Sequence, residues 1–291
     1  MTAKRLALGT VQFGLPYGVA NEGGQVPLAE AQAIVEQARK NGLDTVDTAI
    51  AYGDSEERLG RIGLAGWRVI TKLPPLPDAG GGIPDWVRAT VADSLERLRV
   101  KELYGLLLHR ADDLLAPSGE EAYAALVRLK RGGLVRKIGV SIHGPEILDK
   151  VIPRFSLDLI QAPFNVLDRR LLTSGWLAAL KKHGLEVHTR SVFLQGLLLM
   201  KGGRRPGKFD RWSGVWNAWS EWLAKCETSP ARACLGFPLQ FDEIDRVVIG
   251  VDSAEQLSEL LLAAEAHNEE PPPELCSHDL DLIDPSRWSS L

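Results

Sequence analysis

Residues 44–63 read DTVDTAIAYGDSEERLGRIG, and they contain a strand, a loop and a helix in succession. The short apolar strand ends at Asp47, the loop that follows carries Tyr52, and apolar residues then recur at helical spacing. A short apolar strand followed closely by a helix is typical of a buried parallel sheet. This unit therefore sets the pattern to look for in the rest of the chain.

The same pattern recurs along the whole chain, because helix-like segments alternate with apolar segments of strand length. The candidate strands are LALGT (6–10), DTVDT (44–48), RVITK (68–72), YGLLLH (104–109), RKIGVS (136–141), LDLIQ (157–161), LEVHTR (185–190) and RVVIG (246–250). Eight strands that alternate with helices predict an α/β protein whose parallel strands close into a (β/α)8 TIM barrel, rather than an open sheet. We predict a single barrel domain over residues 1–267. Residues 268–291 are expected to form a C-terminal tail that packs on the barrel or extends from it.

Polar residues stand where three of these strands end. Asp47, Lys72 and His109 lie at the ends of the second, third and fourth candidate strands, and Tyr52 follows Asp47 in the next loop. In a parallel barrel the C-terminal ends of the strands meet at one mouth, where the active sites of such barrels lie. A lone strand-end Asp or Lys is often part of a salt bridge, but all four residues at one mouth favour catalysis.

These residue types suit proton transfer to a carbonyl oxygen. A phenol is a poor acid near neutral pH, with an unperturbed pKa of about 10, so Tyr52 needs help from its neighbours. A Lys72 ammonium within hydrogen-bond reach would favour the phenolate, and Asp47 would hold that ammonium charged and oriented. His109 would hydrogen-bond the substrate oxygen and polarise the carbonyl. Since none of the four supplies a hydride, a redox reaction requires a cofactor.

Composition sets looser bounds on function. The chain has 291 residues, of which 45% are hydrophobic and 25% charged, so it can bury one large core. The net charge is −4 and no block of Lys and Arg stands out, so nucleic acid and anionic membrane surfaces are not expected partners. No run approaches the ~20 apolar residues of a spanning helix, and the N-terminus lacks a signal-peptide core, which predicts a cytoplasmic protein. The spacing of Cys226, Cys234 and Cys276 does not suggest a metal site, and no metal is expected.

Six segments together carry a more specific pattern: LALGTVQFG, DTAIAYGDSEERLG, ITKL, LLLHRAD, VRKIGVS and LIQAPFNVLDR. In this order they resemble the aldo-keto reductase family, and the resemblance extends from about Leu6 to His267. It implies an NAD(P)-dependent carbonyl reductase or alcohol dehydrogenase on a (β/α)8 barrel. Carried over by motif, Tyr52 is the general acid/base, Asp47 and Lys72 tune it, and His109 orients the substrate. The sequence also resembles a bacterial branch of the family associated with surface carbohydrates.

The resemblance further implies a set of cofactor contacts. Ser141 and Gln161 would hydrogen-bond the nicotinamide carboxamide, while VVIGVDSAEQLSEL (247–260) resembles the family's pyrophosphate and adenosine loop. There Gly250 permits close backbone approach and Ser253 would cap a helix whose N-terminus favours phosphate. The full set of implied cofactor contacts is Ser141, Gln161, Asn165, Arg190, Ser191, Gly250, Ser253, Gln256 and Glu259.

Two positions depart from the family's pattern around the nicotinamide. Many relatives have an asparagine after the serine, whereas this chain has Ile142 and then His143. Arg190 stands where relatives usually have a tyrosine that stacks on the nicotinamide ring. An arginine could stack through its guanidinium plane or bind the substrate instead.

The resemblance leaves the choice between NADP(H) and NAD(H) open. In many relatives the adenosine loop carries a basic residue that binds the 2′-phosphate of NADP, whereas this chain has Asp252 there. A carboxylate beside a phosphate would be repulsive. Basic side chains at the end of the seventh strand and in the loop after it could still reach the phosphate, and they are Arg190, Lys201, Arg204 and Arg205.

The expected partner is a small-molecule carbonyl substrate, with Tyr17, His143 and Phe193 as candidate contacts. They belong to a wider mixture of polar and apolar residues expected near the mouth, and this mixture suits a polyhydroxylated or anionic carbonyl compound, such as a sugar or sugar derivative. Two other functions remain open on the same fold. One is a regulatory protein that senses cofactor with little turnover, and the other is a lyase or epimerase without redox chemistry. A monomer or weak oligomer is expected.

Overall fold

The computed structural model describes residues 2–77, 82–265 and 270–291. In this part of the chain, parallel strands close into a barrel in which each strand pairs with its sequence neighbours and the last pairs with the first. The strands are β1 Leu6–Gly9, β2 Thr45–Asp47, β3 Arg68–Leu73, β4 Leu103–Leu108, β5 Val135–Ser141, β6 Leu159–Pro163, β7 Glu186–Arg190 and β8 Arg246–Gly250. Each overlaps one of the segments predicted as strands, with ends that differ by at most two residues, and the predicted (β/α)8 barrel is confirmed.

Helices connect successive strands and pack around the outside of the barrel. They are α1 Val11–Gly14, α2 Leu28–Lys40, α3 Ser55–Ile62, α4 Ile83–Leu98, α5 Gly119–Arg131, α6 Leu148–Val151, α7 Arg170–Thr173, α8 Trp176–Lys182, α9 Ser213–Lys225, α10 Pro230–Leu239, α11 Ala254–Ala264 and α12 Leu280–Ile283. α2 shows why these segments are helical, because it buries Ala31, Ile34, Val35 and Ala38, which lie on one helical face. None of the described helices is long and apolar enough to cross a membrane.

A small apolar cluster fills the barrel interior. Ile70 of β3, Leu107 of β4 and Leu159 of β6 are fully buried and contact one another there. Side chains two residues apart on a strand point to the same face. Lys72 and Gln161 follow members of this cluster by two positions on their own strands, so both side chains are delivered to the mouth above the cluster.

The C-terminal tail packs against the barrel wherever it is described. Leu282, Ile283 and Trp288 are buried, and the backbone N–H of Ser277 donates a hydrogen bond to the carbonyl of Leu167 at 2.8 Å. The predicted boundary between residues 267 and 268 lies outside the described residues. The packing brings the segment after α12 to the mouth of the barrel.

A buried carboxylate joins three elements below the Tyr52 loop. Glu56 of α3 is 2% exposed, and its Oε1 accepts hydrogen bonds from Thr71 Oγ1 and Ser94 Oγ, both at 2.7 Å. Its Oε2 accepts from Arg97 Nε at 2.8 Å. The side chain thus ties α3 to β3 and α4, and its replacement would leave the donors of three residues without their acceptor.

We expect Glu56→Gln to lower the free energy of unfolding by about 1–3 kcal/mol, because the amide cannot satisfy the same donors. Glu57→Gln is the matched control, since Glu57 is exposed and its distance to Arg61 is 3.9 Å. Chemical denaturation of both variants measures the difference. Equal stabilities for the two variants would contradict a structural role for Glu56.

Candidate active site

The C-terminal ends of the strands open into a cavity of about 670 Å³, a size that suits a cofactor or a substrate of moderate size. Lys72, Asn165, Arg205, Ser253 and Glu259 are the sequence-predicted residues that do not line it. Those that line it are Tyr17, Asp47, Tyr52, His109, Ser141, His143, Gln161, Arg190, Ser191, Phe193, Lys201, Arg204, Gly250 and Gln256.

A buried ion pair forms the floor of the catalytic end. Lys72 Nζ donates to Asp47 Oδ1 at 2.6 Å and to the carbonyl of Thr48 at 2.8 Å. Gln161 Nε2 donates to the other oxygen, Asp47 Oδ2, at 2.7 Å, and Ser141 Oγ lies 3.4 Å from Gln161 Oε1. The lysine and the carboxylate therefore hold each other in place, and Gln161 and Ser141 connect them to β5 and β6.

Lys72 remains charged although it is almost completely buried. Burial by itself lowers the pKa of the ammonium, but the adjacent Asp47 carboxylate and, to a lesser degree, Tyr52 together outweigh it, so the pKa of Lys72 is raised above its usual value. Breaking such a pair would leave an uncompensated charge in the barrel. The site thus carries a permanent ammonium under the Tyr52 loop.

Tyr52 lies between this ammonium and His109. Lys72 Nζ is 5.2 Å from the centre of the Tyr52 ring, and the rings of Tyr52 and His109 meet edge to face with centroids 5.8 Å apart. The backbone of Tyr52 is held closely, since its carbonyl accepts from Ser55 N at 3.0 Å. A Cβ on Gly14 would lie only 1.7 Å from that carbonyl oxygen, so α1 packs directly on the loop and glycine is required there.

His109 is a neutral imidazole near pH 7. Burial, reinforced by the positive charges of Lys72 and Arg190, lowers the pKa of His109 from 6.5 to about 4. Within the described chain, its ring has no hydrogen-bond partner, although its backbone N–H donates to Leu73. The ring can therefore donate a hydrogen bond to an oxygen in the cavity without carrying a charge.

Of the residues predicted around the nicotinamide carboxamide, two line the cavity and one does not. Ser141 and Gln161 lie side by side at the cavity, in register on β5 and β6. Asn165 is fully buried instead, where its Oδ1 accepts from Leu167 N and Asp168 N at 2.9 Å and its Nδ2 donates to the carbonyl of Ser191 at 3.1 Å. The amide of Asn165 thus shapes the loop after β6 and is not presented to the cavity.

The loop after β8 forms the other end of the cavity. Ser253 caps α11, with its Oγ accepting from Gln256 N at 3.0 Å, while Gln256 Oε1 accepts from Asp252 N at 2.7 Å. The N–H of Ala254 is also bonded, to Glu30 Oε1 at 2.7 Å. Several donors at this helix N-terminus are therefore used within the protein. Glu259 is exposed and lies away from the cavity.

The residues present fit an extended dinucleotide. Amide and hydroxyl groups stand at the catalytic end, and the bare backbone of Gly250 forms the wall at the other end, where a Cβ would lie 2.5 Å from Gln12 Nε2. Gln12 Oε1 lines this region as a buried acceptor without a partner in the described residues. A ligand hydroxyl could satisfy it.

Several residues of the cavity wall were not predicted from the sequence. Gln12 lies on α1, three residues after the end of β1, so it belongs to the connections at the barrel mouth, as Tyr52 does. Asn21 Nδ2 donates to Asp252 Oδ1 at 3.1 Å and brings the loop after β1 against the loop after β8. Asp284 and Ser286 come from the tail, and Asp284 Oδ1 lies 3.6 Å from His143 Nδ1. No local pattern indicated them, because tertiary packing places the tail.

A model of the aldo/keto reductase family matches residues 5–270. The chain belongs to this family. D-threo-aldose 1-dehydrogenase from Pseudomonas sp is 27% identical over 87% of this chain and 89% of its own length. L-glyceraldehyde 3-phosphate reductase from Escherichia coli K12 is 27% identical over 84% of this chain and 82% of its own. The solved holo form of an aldo-keto reductase from Bacillus halodurans superposes with a TM-score of 0.72 at 22% identity, covering 91% of this chain and 88% of that one.

Family membership makes the protein an NAD(P)-dependent oxidoreductase, and small-molecule carbonyl compounds fit the family as substrates. In residues 2–77, 82–265 and 270–291, no group of three or more His, Cys, Asp or Glu side chains is arranged to hold a metal ion.

We expect His109 to titrate at about pH 4 in the folded protein. An unfolded histidine titrates near 6.5, so the unfolded state binds more protons between these values, and the stability that His109 contributes is lost as pH falls from about 6.5 to 4. An NMR titration of imidazole protons measures the midpoint, and the resonance is assigned by its absence in His109→Gln. A midpoint between 6 and 7 would show that the imidazole is not desolvated.

Proposed function

We propose that the protein reduces an aldehyde or ketone to an alcohol with a nicotinamide cofactor, and that Tyr52 is the general acid. The observation that supports this most is the buried Lys72–Asp47 pair beneath the Tyr52 loop, with His109 on the other side of the phenol. An ammonium at this place favours loss of the phenolic proton as it passes to the substrate oxygen.

When bound, the cofactor supplies the hydride and accepts it back in the reverse direction. Ser141 and Gln161 would hold its carboxamide, while Gly250 and Gln12 would contact its other half. The Lys72–Asp47 pair would keep Gln161 in place for this contact, because Gln161 Nε2 donates a hydrogen bond to Asp47.

Two groups would act on the substrate oxygen at once. Tyr52 would donate its phenolic proton, and the neutral His109 ring would donate a second hydrogen bond and stabilise the developing negative charge. Asp47 stays bonded to Lys72 and Gln161, so it orients the ammonium and does not compete for the substrate. In alcohol oxidation the same proton would return to Tyr52.

The cavity walls favour a small hydroxylated substrate. Near the catalytic end, Asp284 and Ser286 of the tail and Gln195 of the loop after β7 offer hydrogen-bonding groups, whereas Tyr17 and Phe193 offer apolar surface. Gln195 Nε2 donates to Tyr17 Oη at 3.1 Å, which fixes one side of the opening. Similarity to proteins named for an aldose and for a glyceraldehyde phosphate supports a sugar or sugar derivative.

Tyr52→Phe should reduce kcat by roughly 100-fold to 10,000-fold because the general acid is lost, while the dissociation constant of the cofactor stays the same. Reduction of a panel of aldoses and simple aldehydes, followed by nicotinamide absorbance, measures turnover. Tyr123→Phe is the matched control, since its hydroxyl donates to the carbonyl of Ser156 away from the cavity. Unchanged turnover in Tyr52→Phe would refute the assignment, and cofactor binding without turnover in the unaltered protein would indicate a sensor.

Charges of both signs surround the end of the cavity where an adenosine 2′-phosphate would lie. Asp252 is exposed there, but desolvation by neighbouring protein atoms raises the pKa of its carboxyl above the usual value, although its bond from Asn21 opposes this. Lys201 and Arg204 line the same cavity. The carboxylate would repel a 2′-phosphate and the two cations would attract it.

Asp252→Asn should therefore tighten NADPH binding by about threefold to tenfold and leave NADH binding nearly unchanged, since one unit charge near a phosphate is removed. The quenching of tryptophan fluorescence during titration with each cofactor measures both constants. Glu255→Gln, an exposed carboxylate on the first turn of α11, serves as the control. An equal change for both cofactors in Asp252→Asn would place the 2′-position elsewhere.

A further inference from the structure

Arg190 is the C-terminal residue of β7 and lies at the end of the cavity that contains the Lys72–Asp47 pair. Its Nη2 donates to the carbonyl of Ile142 at 2.9 Å and its Nη1 donates to Ser191 Oγ at 3.1 Å. The residue is partly buried, lines the cavity and pairs in register with Pro163 of β6, two positions beyond Gln161. The guanidinium is thus fixed by two neutral groups next to the residues that would hold the carboxamide.

This guanidinium is not paired with a carboxylate. The charge of Lys72 is balanced by Asp47 at 2.6 Å, and His109 is neutral near pH 7. No carboxylate of the described residues forms an ion pair with Arg190. Asp284 of the tail lines the same cavity but makes no ion pair with Arg190. The guanidinium charge is therefore not neutralised by direct contact, and it lies in a partly desolvated place, where electrostatic interactions are stronger than in water.

The two redox states of a nicotinamide cofactor differ in the charge of the ring that would lie here. The ring of the oxidised form is a cation, whereas the dihydropyridine ring of the reduced form is neutral. A guanidinium beside the ring repels the first and leaves the second unaffected, and its planar face can stack on either.

We infer that Arg190 makes the protein discriminate between the redox states of its cofactor, so that the reduced form binds more tightly than the oxidised form. This inference rests on the proposed function, because it requires a nicotinamide ring held by Ser141 and Gln161. Weak binding of the oxidised cofactor favours its release after carbonyl reduction, a step that limits turnover in many enzymes. By linkage, the same preference makes hydride transfer from the bound cofactor less favourable. Arg190 would thus lower the driving force of hydride transfer and speed the release of the oxidised cofactor.

The test compares dissociation constants for NADH, NAD⁺, NADPH and NADP⁺ in the unaltered protein and in Arg190→Gln, measured by quenching of tryptophan fluorescence and by calorimetry. Glutamine keeps a donor for the Ile142 carbonyl but removes the charge. Arg190→Lys keeps the charge, and Arg88→Gln removes a charge from an exposed position on α4 as the matched control. Thermal unfolding of each variant shows whether it is folded.

The ratio of the oxidised to the reduced dissociation constant should fall by at least about tenfold in Arg190→Gln, chiefly because the oxidised cofactor binds more tightly. Arg190→Lys should keep most of the ratio, and Arg88→Gln all of it. An unchanged ratio in Arg190→Gln would overturn the inference. The inference would also fail if Arg190→Gln changed the KM of anionic substrates and left all four cofactor dissociation constants unchanged. If Arg190→Gln does not fold, a ratio near one in the unaltered protein or a lost ratio in Arg190→Lys would overturn it as well.

If the unaltered protein binds none of the four nucleotides, the proposed function itself fails, and this outcome is distinct from an unchanged ratio. Binding of all four with the expected shift supports both the nicotinamide position and the role of Arg190.

Discussion

The ion pair between Lys72 and Asp47 is the constraint on which the catalytic end depends. Two opposite charges buried at the mouth of a barrel are tolerated only when each is paired and hydrogen-bonded, and here both carboxylate oxygens and the ammonium have partners. The pair joins β2 to β3 and, through Gln161, to β6. The geometry of the mouth is therefore determined by the same contacts that supply its charge.

Much of this arrangement could be predicted from the sequence because it follows from two short-range rules. Strand-length apolar segments alternating with helices predict a barrel, and polar residues at strand ends predict a shared mouth, which together bring Asp47, Lys72 and His109 close. Asn165 shows the limit of the approach. Its position after β6 resembles a cofactor contact, but backbone donors of its own loop occupy its oxygen, and local sequence does not reveal which donors will be nearby.

The tail shows a second limit. Asp284 and Ser286 reach the cavity because Leu282, Ile283 and Trp288 are buried against the barrel, and that packing depends on surfaces far away in the sequence. An acidic segment with few apolar residues predicts either a packed or an extended terminus. Only the tertiary structure distinguishes a packed terminus from an extended one. It therefore also decides which tail residues line the cavity.

The charged residues of the cavity fall into two groups, those at the catalytic end and those that would select the substrate and the cofactor. The catalytic end is built from residues at the ends of strands, whose positions the barrel fixes, and from Tyr52 on a loop that packs closely against α1. The positive charge of Arg190 at this end also contributes to the low pKa of His109. Asp252, Lys201, Arg204 and Asp284 lie on loops and on the tail, which tolerate change because they contribute little to the barrel core. Substrate and cofactor preference can therefore change by loop substitution, whereas the proton donor and its ammonium must stay together.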